Sequence, residues 1–275
     1  MKNPEPTIRI NVDPTNPGQF FACCGLLELA DRLWDGAEGW FDELEFCLNI
    51  PSLKISLDEI ISRILTIPEF SEAIDKKTAV RGSKSKLIPI HLSFPQSILT
   101  INWWRDETRP SGKASREKCA SSVFKTWSGN QSPQQILYDK ILPAIRKLQS
   151  KNPPDLFHQR FPLSGRFGFD YTAAVKSIDI GWSPDMHGVD VETSPVIELF
   201  AMVGLQRFRP RKSIAPKGYL YTIWSQPLPT IVASGASVGC VANKIDTTYR
   251  FCLGKRRDYK YFTKATLHQP TGDKQ

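Results

Sequence analysis

The chain has 275 residues, 40% of them hydrophobic and 23% charged, with seven tryptophans, which suits one large domain with a substantial core and excludes a mostly disordered chain. No run approaches the roughly 18 apolar residues of a membrane span. The start MKNPEPTIRI has no apolar signal core, so the expectation is a cytoplasmic protein with no membrane partner. The net charge of +8 is strongly segregated. Residues 1–75 carry 5 Lys/Arg against 14 Asp/Glu, residues 76–125 carry 11 against 3, residues 126–203 carry 7 against 8, and residues 204–275 carry 13 against 3. Cations in excess over contiguous stretches attract a polyanion, whereas the acidic first quarter suits a protein neighbour or solvent.

In chain order, Thr7 to Val12 alternates polar and apolar residues as a half-buried strand does. Asn16-Pro17-Gly18-Gln19 then supplies a cap, a proline for the first helical position and a glutamine at the third. The helix that follows places Phe20, Phe21, Cys24, Leu27, Ala30 and Trp34 on an apolar face. An acidic exit leads to a second strand, Phe46 to Ile50, and Ser56-Leu57-Asp58-Glu59 reads as a capping box opening a helix to Leu65. Residues 75–86 form a basic loop whose one large aliphatic is Val80. Two strands, Leu87–Phe94 and Ser97–Trp104, make a hairpin across Pro95-Gln96, and a second basic loop spans 105–118.

Ser132-Pro133-Gln134-Gln135 caps a helix to about Gln149 with a kink or break at Pro143. Residues 152–169 read as loop, Ile178–Trp182 as a short strand, and Ser194-Pro195 as the cap of an apolar helix from Val196 to Leu205. Strands at Tyr219–Trp224, Pro229–Ala233, Tyr249–Leu253 and Tyr261–Leu267 complete a single α+β domain over 1–275, with about four helices and eight to ten strands.

Groups that carry chemistry are sparse. The six cysteines, including adjacent Cys23 and Cys24, form no C-x-x-C pair or zinc-finger spacing and read as reduced, mostly buried thiols. His91, His158, His187 and His268 sit in no metal-binding pattern. The run Asp179, Asp185, Asp190, Glu192 matches no calcium loop and reads as solvated turn carboxylates. The Gly/Ser-rich stretch 234–239 is not a phosphate-binding P-loop, because no Gly-Lys-Ser/Thr follows. No cofactor, metal or catalytic residue is therefore assigned.

The stronger signal is cations interleaved with aromatics: Trp103-Trp104-Arg105, Arg207-Phe208-Arg209, Tyr249-Arg250-Phe251 and the stretch from Lys255 to Phe262. Cations hold a phosphate backbone while ring faces stack on unpaired bases. The residues assigned to such a grip are Lys76, Lys77, Arg81, Lys84 and Lys86 in the first loop, and Arg105, Arg109, Lys113 and Arg116 in the second. Arg160 and Arg166 follow in the Pro/Gly-rich stretch, then Arg207, Arg209 and Arg211 after the apolar helix. Arg250, Lys255, Arg256, Arg257 and Lys260 complete the set. The competing reading is core strands whose outer faces happen to be basic.

Three stretches carry a family resemblance. Asn11 to Ala30 (NVDPTNPGQFFACCGLLELA) resembles the opening of a protein family encoded with type I CRISPR systems of subtype U, also called subtype G. Ser164–Asp170 (SGRFGFD) with Asp179–Pro184 (DIGWSP), and Glu198–Phe200 with Gly204–Pro210 (GLQRFRP), are similar to the same family. The resemblance implies a subunit of a Cascade-type effector, in which CRISPR RNA pairs with target DNA and a separate helicase-nuclease cuts. It implies either an RRM/ferredoxin-like body of the RAMP class, with a mostly antiparallel sheet and long basic hairpin loops, or a relative of the large subunit. The implied partners are CRISPR RNA, target DNA and other Cascade subunits. The leading expectation is a non-catalytic nucleic-acid-binding subunit. The alternatives are a metal-independent endoribonuclease maturing CRISPR RNA, with His158 as acid/base assisted by Tyr171 or Lys176, and a protein-only structural adaptor.

Overall fold

The computed structural model describes residues 3–51, 54–66, 69–72, 87–106, 120–127, 131–149, 155–173, 191–241, 246–256 and 259–269. At its centre lie two helices, α1 (Pro17–Trp34) and a later helix, Pro195–Arg207, that is α5 in chain order. Both are apolar on nearly every side, the pattern of a helix surrounded by protein. Their starts are alike. Asn16 Oδ1 accepts the Gly18 N–H at 3.0 Å and Ser194 Oγ accepts the Ile197 N–H at 3.2 Å, each with a proline just inside the helix. The two helices touch backbone to backbone. A Cβ on Gly25 would overlap the Phe200 carbonyl oxygen, and one on Gly204 would overlap that of Phe21.

Two sheets flank this pair. The first contains β1 (Ile8–Asn11), β2 (Glu38–Asp42), β3 (Glu45–Asn49) and β13 (Leu228–Pro229) in the order β1-β3-β2-β13. The second contains β11 (Arg211–Ser213), β12 (Gly218–Ile223), β14 (Thr247–Phe251) and β17 (Thr266–Leu267) in the order β11-β12-β14-β17. Phe20 joins both to α1, lying 5.6 Å from the Phe41 ring of the first sheet and 4.3 Å from the Tyr221 ring of the second. The acidic first quarter thus builds three of the four strands of one sheet, and the basic last quarter builds the other sheet and adds β13 to the first.

Smaller units surround the core. The chain includes α2 (Leu57–Thr66) and the sheet β4 (Glu69–Glu72), β5 (Ile90–Ser93), β6 (Ile98–Ile101). The pairs β7 (Arg105–Asp106) with β8 (Ala120–Ser121) and β9 (Phe161–Pro162) with β10 (Glu192–Thr193) follow, and then the ribbon β15 (Leu253–Arg256) with β16 (Tyr259–Phe262). All pairings are antiparallel. The architecture is α+β, with several small antiparallel sheets.

The expected caps at Asn16, Ser132 and Ser194 form, and Ser132 and Gln135 close a full capping box. The hairpin across Pro95-Gln96 forms as β5–β6. The helix it precedes runs from α3 (Pro133–Ile136) through a π-helical segment (Leu137–Ile141) into α4 (Leu142–Gln149). Pro143 has no N–H to bond back one turn and its ring crowds that carbonyl, so the chain widens just before it rather than breaking. Two expectations are corrected. Pro229–Ala233 is not a strand: β13 ends at Pro229 and α6 (Thr230–Ala236) follows, burying Ala233 and Ala236. The acidic exit after α1 contains a strand, β2, which buries Trp40 and Phe41. The expected strand Ile178–Trp182 lies outside the described residues.

Candidate nucleic-acid interface

The ribbon β15–β16 sets Leu253 opposite Phe262, Gly254 opposite Tyr261, Lys255 opposite Lys260 and Arg256 opposite Tyr259. The Lys260 N–H goes to the Thr126 carbonyl at 2.8 Å and the Phe262 N–H to the Gly168 carbonyl at 3.0 Å, both away from β15. Lys255 and Lys260 therefore form the non-hydrogen-bonded kind of pair, in which cross-strand side chains come closest. Like charges directly opposite destabilise a ribbon. The Lys260 ammonium turns to the Val123 carbonyl at 3.1 Å, and desolvation, with Lys255 adding to it, lowers its pKa.

Beside the ribbon stands the basic sheet. Paired residues share a face, so one row reads Arg211, Leu220, Arg250, Thr266 across all four strands. Thr222 and Thr248 pair in the same alternation, their hydroxyls 2.9 Å apart. The opposite face carries Tyr219, Tyr221, Tyr249 and Phe251 toward α1. Arg250 lays its stem over Gly218, where a Cβ would be 3.1 Å from Arg250 Cγ, and donates through Nη1 to the Lys217 carbonyl at 3.1 Å.

The ribbon is anchored by a buried carboxylate. Glu198, fully buried on α5, accepts the backbone N–H groups of Phe167 (2.7 Å), Gly168 (2.9 Å) and Phe169 (3.1 Å). Gly168 has φ +82°, and a Cβ there would overlap the Tyr259 hydroxyl, so glycine lets the loop close against the ribbon. Burial pushes the Glu198 carboxyl up to about 7, against the opposing pull of the Arg166 charge and the Gly168 N–H. Burial also raises the Tyr259 phenol to about 12. At the end of the same loop, Asp170 accepts from Asn16 Nδ2 at 2.9 Å, tying it to the start of α1. The stretches 11–30, 164–170 and 198–210 thus pack on one another through Asn16–Asp170, Gly168–Glu198 and Gly25–Gly204. They form the scaffold, and it contains Arg166, Arg207 and Arg209 of the assigned cations.

The assigned cations divide into four groups. Arg209, Arg211 and Lys255 are exposed, Arg250 and Lys260 are half-buried, and all belong to or adjoin the basic sheet and ribbon. Arg207, Arg160 and Arg166 are engaged internally. Arg207 pairs through Nε and Nη2 with the buried Glu28 of α1, which Arg32 also meets at 2.7 Å. Arg160 bonds Thr172 Oγ1 at 2.7 Å and the Glu192 carbonyl at 2.5 Å. Arg166 donates to the Ala173 carbonyl at 3.1 Å and lies over the Tyr259 ring. Arg105 is half-buried in β7 opposite Ser121, and Arg256 is placed by its backbone alone. Lys76, Lys77, Arg81, Lys84, Lys86, Arg109, Lys113, Arg116 and Arg257 lie outside the described residues. The strands β7 and β8 that flank residues 107–119 do pair, as do β4 and β5 on either side of the first basic loop.

The aromatic half of the interleaved pattern is corrected. Trp103, Trp104, Phe208, Phe251 and Phe262 are all buried in the core and present no ring to a base. Of the endoribonuclease residues, His158 Nδ1 lies 2.7 Å from Asp155 Oδ2, Tyr171 donates to Asp13 Oδ2 at 3.3 Å, and Lys176 lies outside the described residues. Among the described residues no cluster of three or more His, Cys, Asp or Glu side chains is arranged to hold a metal, and no helix is long and apolar enough to cross a membrane. Sequence reading missed Glu198, whose signal was a lone carboxylate inside an apolar run, and Lys217, in the β11–β12 turn. Searches against protein-family models, curated proteins and solved structures find no match for the chain.

Proposed function

We propose that the chain is a non-catalytic nucleic-acid-binding subunit of a CRISPR RNA-guided surveillance complex of type I, subtype U or G, with a RAMP-like body. The observation that carries the nucleic-acid reading is the Lys255–Lys260 pair. Two lysines set directly opposite on a ribbon cost stability in the free protein, and a phosphate backbone relieves that cost. The neighbouring sheet extends the positive surface through Arg211 and Arg250. The resemblance over 11–30, 164–170 with 179–184, and 198–210 supplies the particular assembly. In that assembly the acidic sheet, with Asp42 and Glu43 exposed at the β2–β3 turn, faces a protein neighbour.

The test is filter binding of the full chain to CRISPR-repeat RNA and to DNA at low and moderate salt. Retention at low salt with a steep loss on salt addition is the expected result. Absence of retention, both alone and within the assembled complex, removes the reading.

One observation favours the endoribonuclease alternative: a carboxylate at hydrogen-bond distance from Nδ1 fixes an imidazole's tautomer, as Asp155 does for His158. Repeat RNA incubated with the protein in EDTA separates the two. Cleavage abolished by His158→Ala supports the nuclease, and intact RNA rejects it.

A further inference from the structure

We infer that the outer face of the sheet β11-β12-β14-β17 takes the sugar–phosphate backbone of a double-stranded nucleic acid and does not read unstacked bases. The inference rests on the nucleic-acid-binding reading above and narrows it to one class of ligand.

Three observations lead there. The first is charge: none of the four strands contains an acidic residue, and their shared outer row carries Arg211 and Arg250. The two arginines are separated by one intervening strand, so their backbones are held about 10 Å apart by sheet geometry. Leu220 between them is only 4% exposed, and Arg250 is further fixed by its bond to the Lys217 carbonyl. Cations mounted at a fixed backbone spacing suit a ligand whose phosphates are themselves preset, because less freedom is then lost on docking.

The second observation is what the row presents besides cations. Thr266 lies opposite Arg250 across the pair with β17, and Thr248, two residues along β14, shares its hydroxyl with Thr222 at 2.9 Å. Hydroxyl and guanidinium donors are the groups that contact phosphate and sugar oxygens and fix register without reading sequence.

The third is where the rings are. Single-strand binders gain most of their sequence-tolerant affinity by stacking bases on aromatic faces. Every ring of this sheet is on the other side. Tyr221 stacks on Phe20 of α1 at 4.3 Å, Tyr249 on Tyr221 at 5.7 Å, and Tyr219 packs against Phe124 at 4.8 Å. On the adjoining ribbon Tyr261 covers Gly254 and stacks on Tyr259 at 6.3 Å. A single strand meeting this surface finds charge but no stacking platform, and must be ordered at its own expense. A duplex arrives already ordered.

The test is competition filter binding with the full chain, using an RNA–DNA hybrid of about 20 base pairs against oligo(U) and oligo(dT) of equal phosphate number. The hybrid is expected to bind about tenfold tighter or more than either single strand. The pair Arg211→Glu and Arg250→Glu is expected to reduce the magnitude of the log–log salt slope for the hybrid by about 2. Arg211→Glu alone, at an exposed edge-strand position, gives a reduction of about 1 and guards against misfolding of the double variant. Single strands binding as tightly as the hybrid, or salt slopes unmoved by Arg211→Glu, overturn the duplex inference while leaving nucleic-acid binding intact. Failure of all three probes to bind overturns the broader reading instead.

Discussion

Gly25 of α1 and Gly204 of α5 lie against each other's helices with no room for a side chain on either. A Cβ on Gly204 would stand 2.8 Å from the Gly25 nitrogen as well as overlapping the Phe21 carbonyl. The obstructing atoms are backbone, which a rotamer change cannot move. Gly25→Ala and Gly204→Ala are therefore each expected to destabilise by about 3 kcal/mol or more, since the helices must separate along their whole contact. Urea midpoints measure this. Either alanine variant unfolding at the wild-type midpoint contradicts the close crossing.

Glu198 gives a pH signature. Its carboxyl sits at about 7 in the folded chain against an ordinary 4.5, because burial outweighs the Arg166 charge and the loop N–H groups. The folded state then holds this proton more tightly than the unfolded state. The group's contribution to stability is full below about pH 4.5, falls as pH rises through the window to about 7, and is level above it. The slope from this one group is at most about 1.4 kcal/mol per pH unit. Glu198→Gln removes the slope and replaces one accepting oxygen by an NH2 that opposes an N–H of the 167–169 loop, with an expected loss of about 2 kcal/mol or more. Chemical denaturation of both proteins from pH 5 to 8 reads both effects, and parallel curves sink the assignment.

Arg207 separates a structural cation from a ligand-binding one. It pairs with buried Glu28, and Arg207→Ala leaves that carboxylate with Arg32 alone. The expected outcome is a loss of about 1–3 kcal/mol in stability with no change in the salt slope of nucleic-acid binding. A changed slope at unchanged stability assigns Arg207 to the interface instead.

Lys255 is expected to behave in the opposite sense. Lys255→Thr relieves the repulsion across the ribbon, raising the stability of the free protein by a few tenths of a kcal/mol, up to about 1, while weakening RNA binding. Thermal melts paired with filter binding check the combination. A variant that loses stability and keeps its affinity contradicts the role given to the pair.

Local signals made much of the fold legible. The caps at Asn16, Ser132 and Ser194 depend on a side chain and an N–H two or three residues away, so sequence carries them whole. Pro229–Ala233 misled because Thr230, Ile231 and Val232 favour strands, whereas burial of Ala233 and Ala236 decides for helix. The candidate site was half legible. Charge segregation survives into two sheets of opposite sign, but basic-aromatic interleaving does not say which way a strand faces, and Trp103, Trp104 and Phe251 face the core. The partners of Arg207 and Glu198 lie 179 and about 30 residues away in sequence, beyond the reach of any local pattern.

The central idea is that Arg211, Arg250, Lys255, Lys260 and Lys217 act together on one polyanion, and its most direct test is the salt dependence of binding by the intact chain. With five cations engaged, log affinity plotted against log salt between about 50 and 200 mM is predicted to fall with a slope near −4. A binding constant indifferent to salt, or no nucleic acid retained at the lowest concentration, contradicts it.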